Sequence, residues 1–332
     1  MTPDELIAEP MGLTHVVLLG AGASRAAFPD GDGTGRRLPL MDDFVDVLGL
    51  RSAIDALAPD LVQVRNFETL YPQLLSRPQC AEAVAALERR VEEYFEGMAL
   101  PEEVTIYDQL LLSLRPSDAV FTFNWDPFLF DAYRRNHHAV VLPEIFFLHG
   151  NVRIGACPDD GTWGERGLRC PKCGTAFARV ALLYPIENKD YSSSPFIREA
   201  WHAARTLFES AFTLTIFGYG APESDAAAVD LLHAAWLNRS DRKFEHVEII
   251  DTAPTSLLHD RWGRFTPTHH YHWISAFEDS RIANWPRRTC ESIYHPMTRG
   301  IPCERFPLPA TADLTSLQEF AARLARPESQ VR

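Results

Sequence analysis

The sequence predicts an α/β protein built on a doubly wound parallel sheet, carrying a helical insertion and a small cysteine-bearing lobe. Three observations predict it. Short runs of β-branched and apolar residues recur without the alternation of a half-exposed strand, as strands covered on both faces require. Segments of helical periodicity separate them, the strand–helix alternation of a parallel sheet. Most runs end abruptly in Gly, Asn, His or Asp, at the carboxyl ends where such sheets bind ligands.

In chain order, the first run is Thr14–Leu19, which enters Gly20-Ala21-Gly22-Ala23-Ser24. Ser24 reads as the N-cap of a short helix that Pro29 must end. Asp30 to Gly35 is a glycine-rich loop. Residues from about 40 to 115 read as a helical insertion. Within it, Val84, Leu87, Val91 and Phe95 recur at helical spacing between Ala81 and Met98. A second strand, Ala119–Phe123, leads to Asn124-Trp125-Asp126, and a third is expected at His138–Leu142. Ile145–Leu148 then delivers His149-Gly150. Residues 151–183 lose their apolar periodicity and form the lobe. A helix near 195–210, the strand Phe212–Phe217 ending at Gly218-Tyr219-Gly220, a helix from about Glu223 to Leu237, and the strand His246–Ile250 ending at Asp251 complete the sheet pattern. Residues 1–310 read as one domain and 311–332 as a polar tail with a short helix near Ser316–Leu324.

The chain has 332 residues, enough for one large domain, and its 45 Asp and Glu outnumber 32 Lys and Arg to give a net charge of -13. That balance excludes a general nucleic-acid surface, which needs a basic face to displace counterions. No apolar run approaches the roughly 20 residues that cross a bilayer, so no membrane contact is expected. The start, Met-Thr-Pro-Asp-Glu, has no positive region or apolar core of a signal peptide, which predicts a cytoplasmic protein. Six cysteines are too few for a disulfide scaffold.

The strand ends carry the chemistry. Gly20 and Gly22 either let a backbone approach a phosphate or form a plain tight turn; Arg25 occupies the third glycine position of the dinucleotide fingerprint. Asn124 either presents an amide that donates and accepts at once or simply ends a strand. His149 is a core histidine or a general base, its intrinsic pKa near 6.5 suiting the latter. Asp126 either orients a ligand or caps the helix beginning near Pro127, and Asp225 reads as a first-turn helix acid. His269 to His272 reads as a surface or pocket wall. Cys170-Pro171-Lys172-Cys173-Gly174 has the form of a zinc knuckle. Cys157-Pro158-Asp159-Asp160-Gly161 repeats that frame with Asp160 in place of a second cysteine. Either a structural Zn2+ staples the lobe through Cys157, Asp160, Cys170 and Cys173, or the lobe is metal-free. Cys80, Cys290 and Cys303 show no ligand spacing and are expected to be buried thiols.

In this order the motifs resemble the sirtuin family, whose Rossmann-like sheet they imply. Gly20–Ser24 resembles that family's Gly-Ala-Gly-x-Ser opening, Phe28-Pro29-Asp30 its Ile-Pro-Asp, and Thr122–Asp126 its Thr-Gln-Asn-Ile-Asp. His149-Gly150 matches the family's catalytic His-Gly, and residues 157–173 sit where its zinc ribbon is inserted. Gly218–Gly220 falls at its Gly-Thr-Ser loop. The likeness spans about 14–252. No Phe-Arg follows Asp30, Gly220 replaces a serine, and the insertion is long. These departures look more like the bacterial sirtuin-like NAD+-cleaving effectors of antiphage defence than like protein deacylases.

The resemblance implies NAD+ as substrate and glycohydrolase activity. Gly20, Ala21, Gly22 and Ser24 would hold the pyrophosphate, and Asp30 with its loop would close over the nicotinamide ribose. Phe123 and Gly218, Tyr219 and Gly220 would line the site, with Asp251 on the adenosine ribose. Asn124, His149 and Asp126 would carry the chemistry. It further implies a homo-oligomer, a defence-system partner such as an ATPase, or both. An NAD-dependent deacylase and a non-enzymatic nucleotide-binding assembly subunit are the alternatives.

Overall fold

The computed structural model describes residues 1–186, 189–192, 194–238, 246–265, 271–309 and 313–330. The strands are β1 (His15–Leu19), β2 (Ala119–Thr122), β3 (Glu144–Phe147), β4 (Ile154–Ala156), β5 (Trp163–Glu165), β6 (Ala178–Arg179), β7 (Thr213–Phe217), β8 (His246–Ile250) and β9 (Tyr271–Ile274). Six of them form one parallel sheet in the order β3-β2-β1-β7-β8-β9. Leu18 pairs with Phe121 on one side and Ile216 on the other. All five residues of β1, β7 and β8 are buried, which is why their sequences are mostly apolar and lack the alternation of a half-exposed strand. The chain leaves β1 toward β2 and returns on its other side at β7, so the order reverses between these two neighbours. Ligands bind in the crevice at such a switch point.

The strand expected at His138–Leu142 does not form. The helix Phe128–Asn136 ends there, residues 137–139 are turn, and the edge strand is Glu144–Phe147. Val140 and Leu142 are buried while Val141 is 67% exposed, an alternation that imitates a strand. Pro143 lacks an amide hydrogen and holds the backbone out of the ladder. Ser24 is likewise not an N-cap: it lies inside the helix Ala21–Ala27, whose N-cap is Gly20. The reason is packing, since its hydroxyl is drawn inward to Asp126.

The insertion is helical. In Ala81–Glu96, Val84, Leu87, Val91 and Phe95 face the core, each worth about 1.5–3 kcal/mol of burial. Asn66 caps the helix Phe67–Leu75 by accepting from the amides of Glu68 and Thr69 at 2.9 and 3.2 Å. That helix turns Phe67, Leu70, Tyr71 and Leu74 inward. Glu68, Thr69, Pro72 and Leu75 face the crevice instead.

The C-terminal helix Leu314–Ala325 starts at Asp313, which accepts from the Ser316 amide at 2.7 Å, and buries Leu317, Ala321 and Leu324. Beyond it, Glu328 receives Arg287 at 2.6 Å and Arg288 at 2.7 Å, two guanidinium groups at most 1% exposed. Removing one partner of a buried pair leaves an uncompensated charge, a loss of about 3–5 kcal/mol. Glu328→Ala is therefore expected to lower unfolding stability by about 3 kcal/mol in urea titration. A change within about 0.5 kcal/mol would show that the clamp does not hold the tail.

Candidate active site

The site begins where two backbone turns meet. The amide of Gly20 donates to the carbonyl of Phe217 at 3.0 Å, and that of Gly22 to the carbonyl of Gly218 at 2.8 Å. A Cβ on Gly20 would stand 2.5 Å from Cα of Tyr219, and one on Gly22 2.8 Å from Cα of Gly218. Gly218 has φ +59°, and a Cβ there would stand 2.2 Å from the Ala23 amide nitrogen. The glycines after β1 are thus explained by close approach of the turn after β7. Both amides are bonded to carbonyls within the protein. Ala221, two residues before the 3-10 turn Glu223–Asp225, also has positive φ, at 45°.

Above these turns lies a cavity of about 1290 Å³. Gly20, Ala21, Gly22, Ser24, Phe123, Asn124, Asp126, His149, Gly218, Tyr219, Gly220 and Asp251 all line it, so the exits of five β-strands converge on it. Asp30 is exposed and is not part of that wall; its neighbour Asp32 instead organises the loop. The Asp32 carboxylate accepts from the amides of Thr34, Arg36 and Ala99 at 3.0, 2.7 and 2.8 Å.

Asn124 donates its side-chain amide to the Gly20 carbonyl at 2.9 Å and to Ser24 Oγ at 3.0 Å. A carbonyl only accepts, so this fixes Nδ2 against the protein and leaves Oδ1 as the group offered to the cavity. Ser24 Oγ donates to Asp126 Oδ2 at 2.6 Å and receives the Tyr107 hydroxyl at 2.6 Å. Asp126 also accepts from the amide of Phe128, the first residue of a helix whose N-cap is Pro127, at 3.3 Å, while anchoring Ser24. Burial raises its carboxyl to about 6.

His149 is 5% exposed, and its Nε2 is buried without a hydrogen-bond partner, 3.8 Å from Asp225 Oδ1. Burial lowers its pKa to about 4, with Asp225 opposing the shift and Lys189 adding to it. The imidazole is therefore neutral at neutral pH. Phe123 meets it edge-on at 4.7 Å and stacks on Tyr219 at 4.1 Å. Asp225 corrects the sequence reading: although it precedes the helix Ala226–Leu237, its side chain makes no cap bond. It turns inward, accepting Lys189 Nζ at 2.6 Å and the Tyr219 hydroxyl at 2.8 Å.

Sequence reasoning missed Tyr107, Lys189 and Glu68 because nothing local marks them. Glu68 comes from the insertion, and burial followed by the negative charge of Asp225 pushes its carboxyl up to about 7. His272 pairs with Glu248 at 3.3 Å, an acidic partner absent from the sequence reading, and His269 and His270 lie outside the described residues.

The lobe is the three-stranded sheet β5-β4-β6 with two knuckles of one geometry. The Cys157 amide donates to Thr162 and the Cys170 amide to Thr175, while the Gly161 and Gly174 amides return to the two cysteine carbonyls. Ligand atoms of Cys157, Asp160, Cys170 and Cys173 lie within 4.8 Å of one another. Three thiols and a carboxylate at this spacing can hold a tetrahedral Zn2+, whose bonds are about 2.0–2.3 Å long. Of the remaining cysteines, Cys80 and Cys290 are buried, but Cys303 is half-exposed, because it lies in the extended segment after Gly300.

No family model matches the chain, and no curated protein matches it. Solved structures do. A Sir2 homologue variant in complex with ADP-ribose is 14% identical over 99% of this chain and 97% of its own, with a TM-score of 0.43. A structure described as the basis for the mechanism and regulation of Sir2 enzymes is 16% identical over 89% of this chain and 95% of its own, at 0.41. A Sir2 homologue–NAD complex is 18% identical over 81% and 86%, at 0.36. Likeness at this level leaves the chemistry to be argued from the residues.

Two outcomes follow from the geometry. Between pH 6.5 and about 4 the unfolded chain protonates His149 and the folded chain does not, so stability falls as pH drops through that window. His149→Asn is expected to flatten the slope by at most about 1.4 kcal/mol per pH unit in urea titrations at several pH values. Parallel slopes would show that His149 is not held neutral. Freshly purified protein is expected to carry about one zinc ion per chain, lost in Cys170→Ser together with thermal stability. Elemental analysis finding no metal in protein never exposed to chelator would exclude the staple.

Proposed function

We propose that the protein is an NAD+ glycohydrolase, converting NAD+ and water to nicotinamide, ADP-ribose and a proton. The observation that carries this reading is that Asn124 and a neutral His149 open onto one cavity at the sheet's switch point. Its volume exceeds the roughly 300–1,000 Å³ of drug-sized sites, which suits a dinucleotide. The motif resemblance to sirtuin-like NAD+-cleaving effectors points the same way.

Cleavage of the glycosidic bond sends its electron pair to the nicotinamide nitrogen and leaves oxocarbenium character at C1′. Among the described residues six carboxyl groups line the cavity, those of Asp42, Glu68, Asp126, Glu223, Asp225 and Asp251, and the field of those that are ionised favours that positive charge. Asn124 Oδ1 accepts from the attacking water or a ribose hydroxyl. Water oxygen bonds to C1′, and its proton passes to neutral His149 and then to solvent. Asp126 acts through Ser24, which holds Asn124 in place. Helix Phe67–Leu75 walls the cavity with Glu68, Thr69 and Pro72, which favours a small substrate and excess water control over a long peptide.

In this reading the enzyme serves as a regulated NAD-depleting effector, with self-assembly or a partner such as an ATPase as the trigger. Incubation with NAD+ alone, with and without candidate partners, is expected to release nicotinamide and ADP-ribose in equal amounts. His149→Ala and Asn124→Ala are each expected to reduce kcat by about 10²–10⁴-fold in folded protein. Turnover that needs an acyl-lysine peptide would replace the hydrolase with a deacylase. Binding without turnover under every condition would leave a sensor.

A further inference from the structure

The diphosphate of a dinucleotide needs positive charge or free donors, and this cavity offers few. The amides of Gly20 and Gly22 are bonded to Phe217 and Gly218, and the Ser24 hydroxyl to Asp126. Among the described residues, three cations line the wall against the six carboxyl groups: Arg25, Lys189 and Arg261. Lys189 donates to the carbonyls of Ile186 and Ser224 at 3.3 and 2.6 Å and to Asp225 at 2.6 Å, which uses its three hydrogens. Arg25 is tied through Nη1 to the Leu38 carbonyl at 2.6 Å.

Arg261 differs from both. Among the described residues it makes no hydrogen bond or ion pair. It stands in the last turn of the helix Thr255–Trp262, which follows β8, and its Nη1 lies 3.4 Å from where a Cβ on Gly220 would stand. The guanidinium therefore rests over the side-chain-free position of the turn after β7. Gly220, Asp251 and Arg261 share one wall of the cavity. A planar fork of donors held there, half-exposed and without a protein partner, matches the oxygens of a diphosphate.

We infer that Arg261 is the diphosphate-binding residue of this cavity, the task that the sequence pattern gives to Gly20, Gly22 and Ser24. For the ligand's identity the inference rests on the NAD+ reading. The assignment supplies the phosphates with a guanidinium, whose positive charge also acts on Glu68. It also makes the free cavity selective, since a nucleoside without phosphate gains nothing from Arg261.

The test is calorimetric binding of ADP-ribose and of adenosine to the full chain and to Arg261→Ala and Arg261→Lys. Arg261→Ala is expected to weaken ADP-ribose about tenfold to hundredfold and adenosine by less than about twofold. Arg261→Lys is expected to recover part of the loss. The KM for NAD+ should rise in parallel while kcat stays within about twofold, because the residue acts on binding. ADP-ribose affinity unchanged in Arg261→Ala overturns the inference, as does an equal loss for adenosine, which marks a structural defect. Wild-type protein that binds ADP-ribose but releases no nicotinamide removes the hydrolase and leaves the Arg261 comparison decisive. Wild-type protein that binds no ADP-ribose overturns both.

Discussion

The contact on which the site depends is between two stretches of backbone. The turns after β1 and β7 approach so closely that any side chain at Gly20, Gly22 or Gly218 would overlap the opposite chain. Two amide-to-carbonyl bonds lock them together. The sheet order puts these strands side by side at the switch point, and the glycines let their ends touch. From that joint the Gly20 carbonyl is held where it orients Asn124, and Tyr219 where it meets Phe123 and Asp225. A small residue pair thus positions groups on three further elements.

Two polar networks extend from the joint, and their chemistry differs. Tyr107, Ser24, Asp126 and Asn124 form a satisfied chain in which each donor has an acceptor, so it rigidifies the wall. Around His149 the balance is incomplete. Asp225 already receives Lys189 and Tyr219, and Nε2 of His149 stands 3.8 Å away without a partner. A buried imidazole without a hydrogen bond is costly in a purely structural role.

Legibility in the sequence tracks the distance over which each interaction acts. The buried strands are legible because parallel pairing covers both faces and leaves mostly apolar runs without alternation. The cysteine lobe is legible because its candidate ligands form two pairs three residues apart, each pair followed by a glycine, and the turn that presents them is local. Ser24–Asp126 spans 102 residues and Lys189–Asp225 spans 36, and neither leaves a local trace. Asp225 even carries the misleading local signature of a helix start. The false strand at His138–Leu142 shows the converse, since alternating burial can arise in a loop that Pro143 keeps from pairing.

The insertion changes what the fold can accept. A doubly wound sheet leaves its carboxyl-end crevice open unless something covers it. Here the helix Phe67–Leu75 does so with a polar face, and its register follows from an Asn66 cap and an inward row of Phe67, Leu70, Tyr71 and Leu74. The same four-residue spacing that buries the apolar row brings Glu68 and Pro72 onto the cavity. Burial first, and then the charge of Asp225, make Glu68 resist ionisation, with Lys189 and Arg261 drawing it the other way. Carboxylates crowded in this way favour a cation among them. An anion must find its partner among the cavity's cationic groups, of which Arg261 makes no hydrogen bond or ion pair among the described residues.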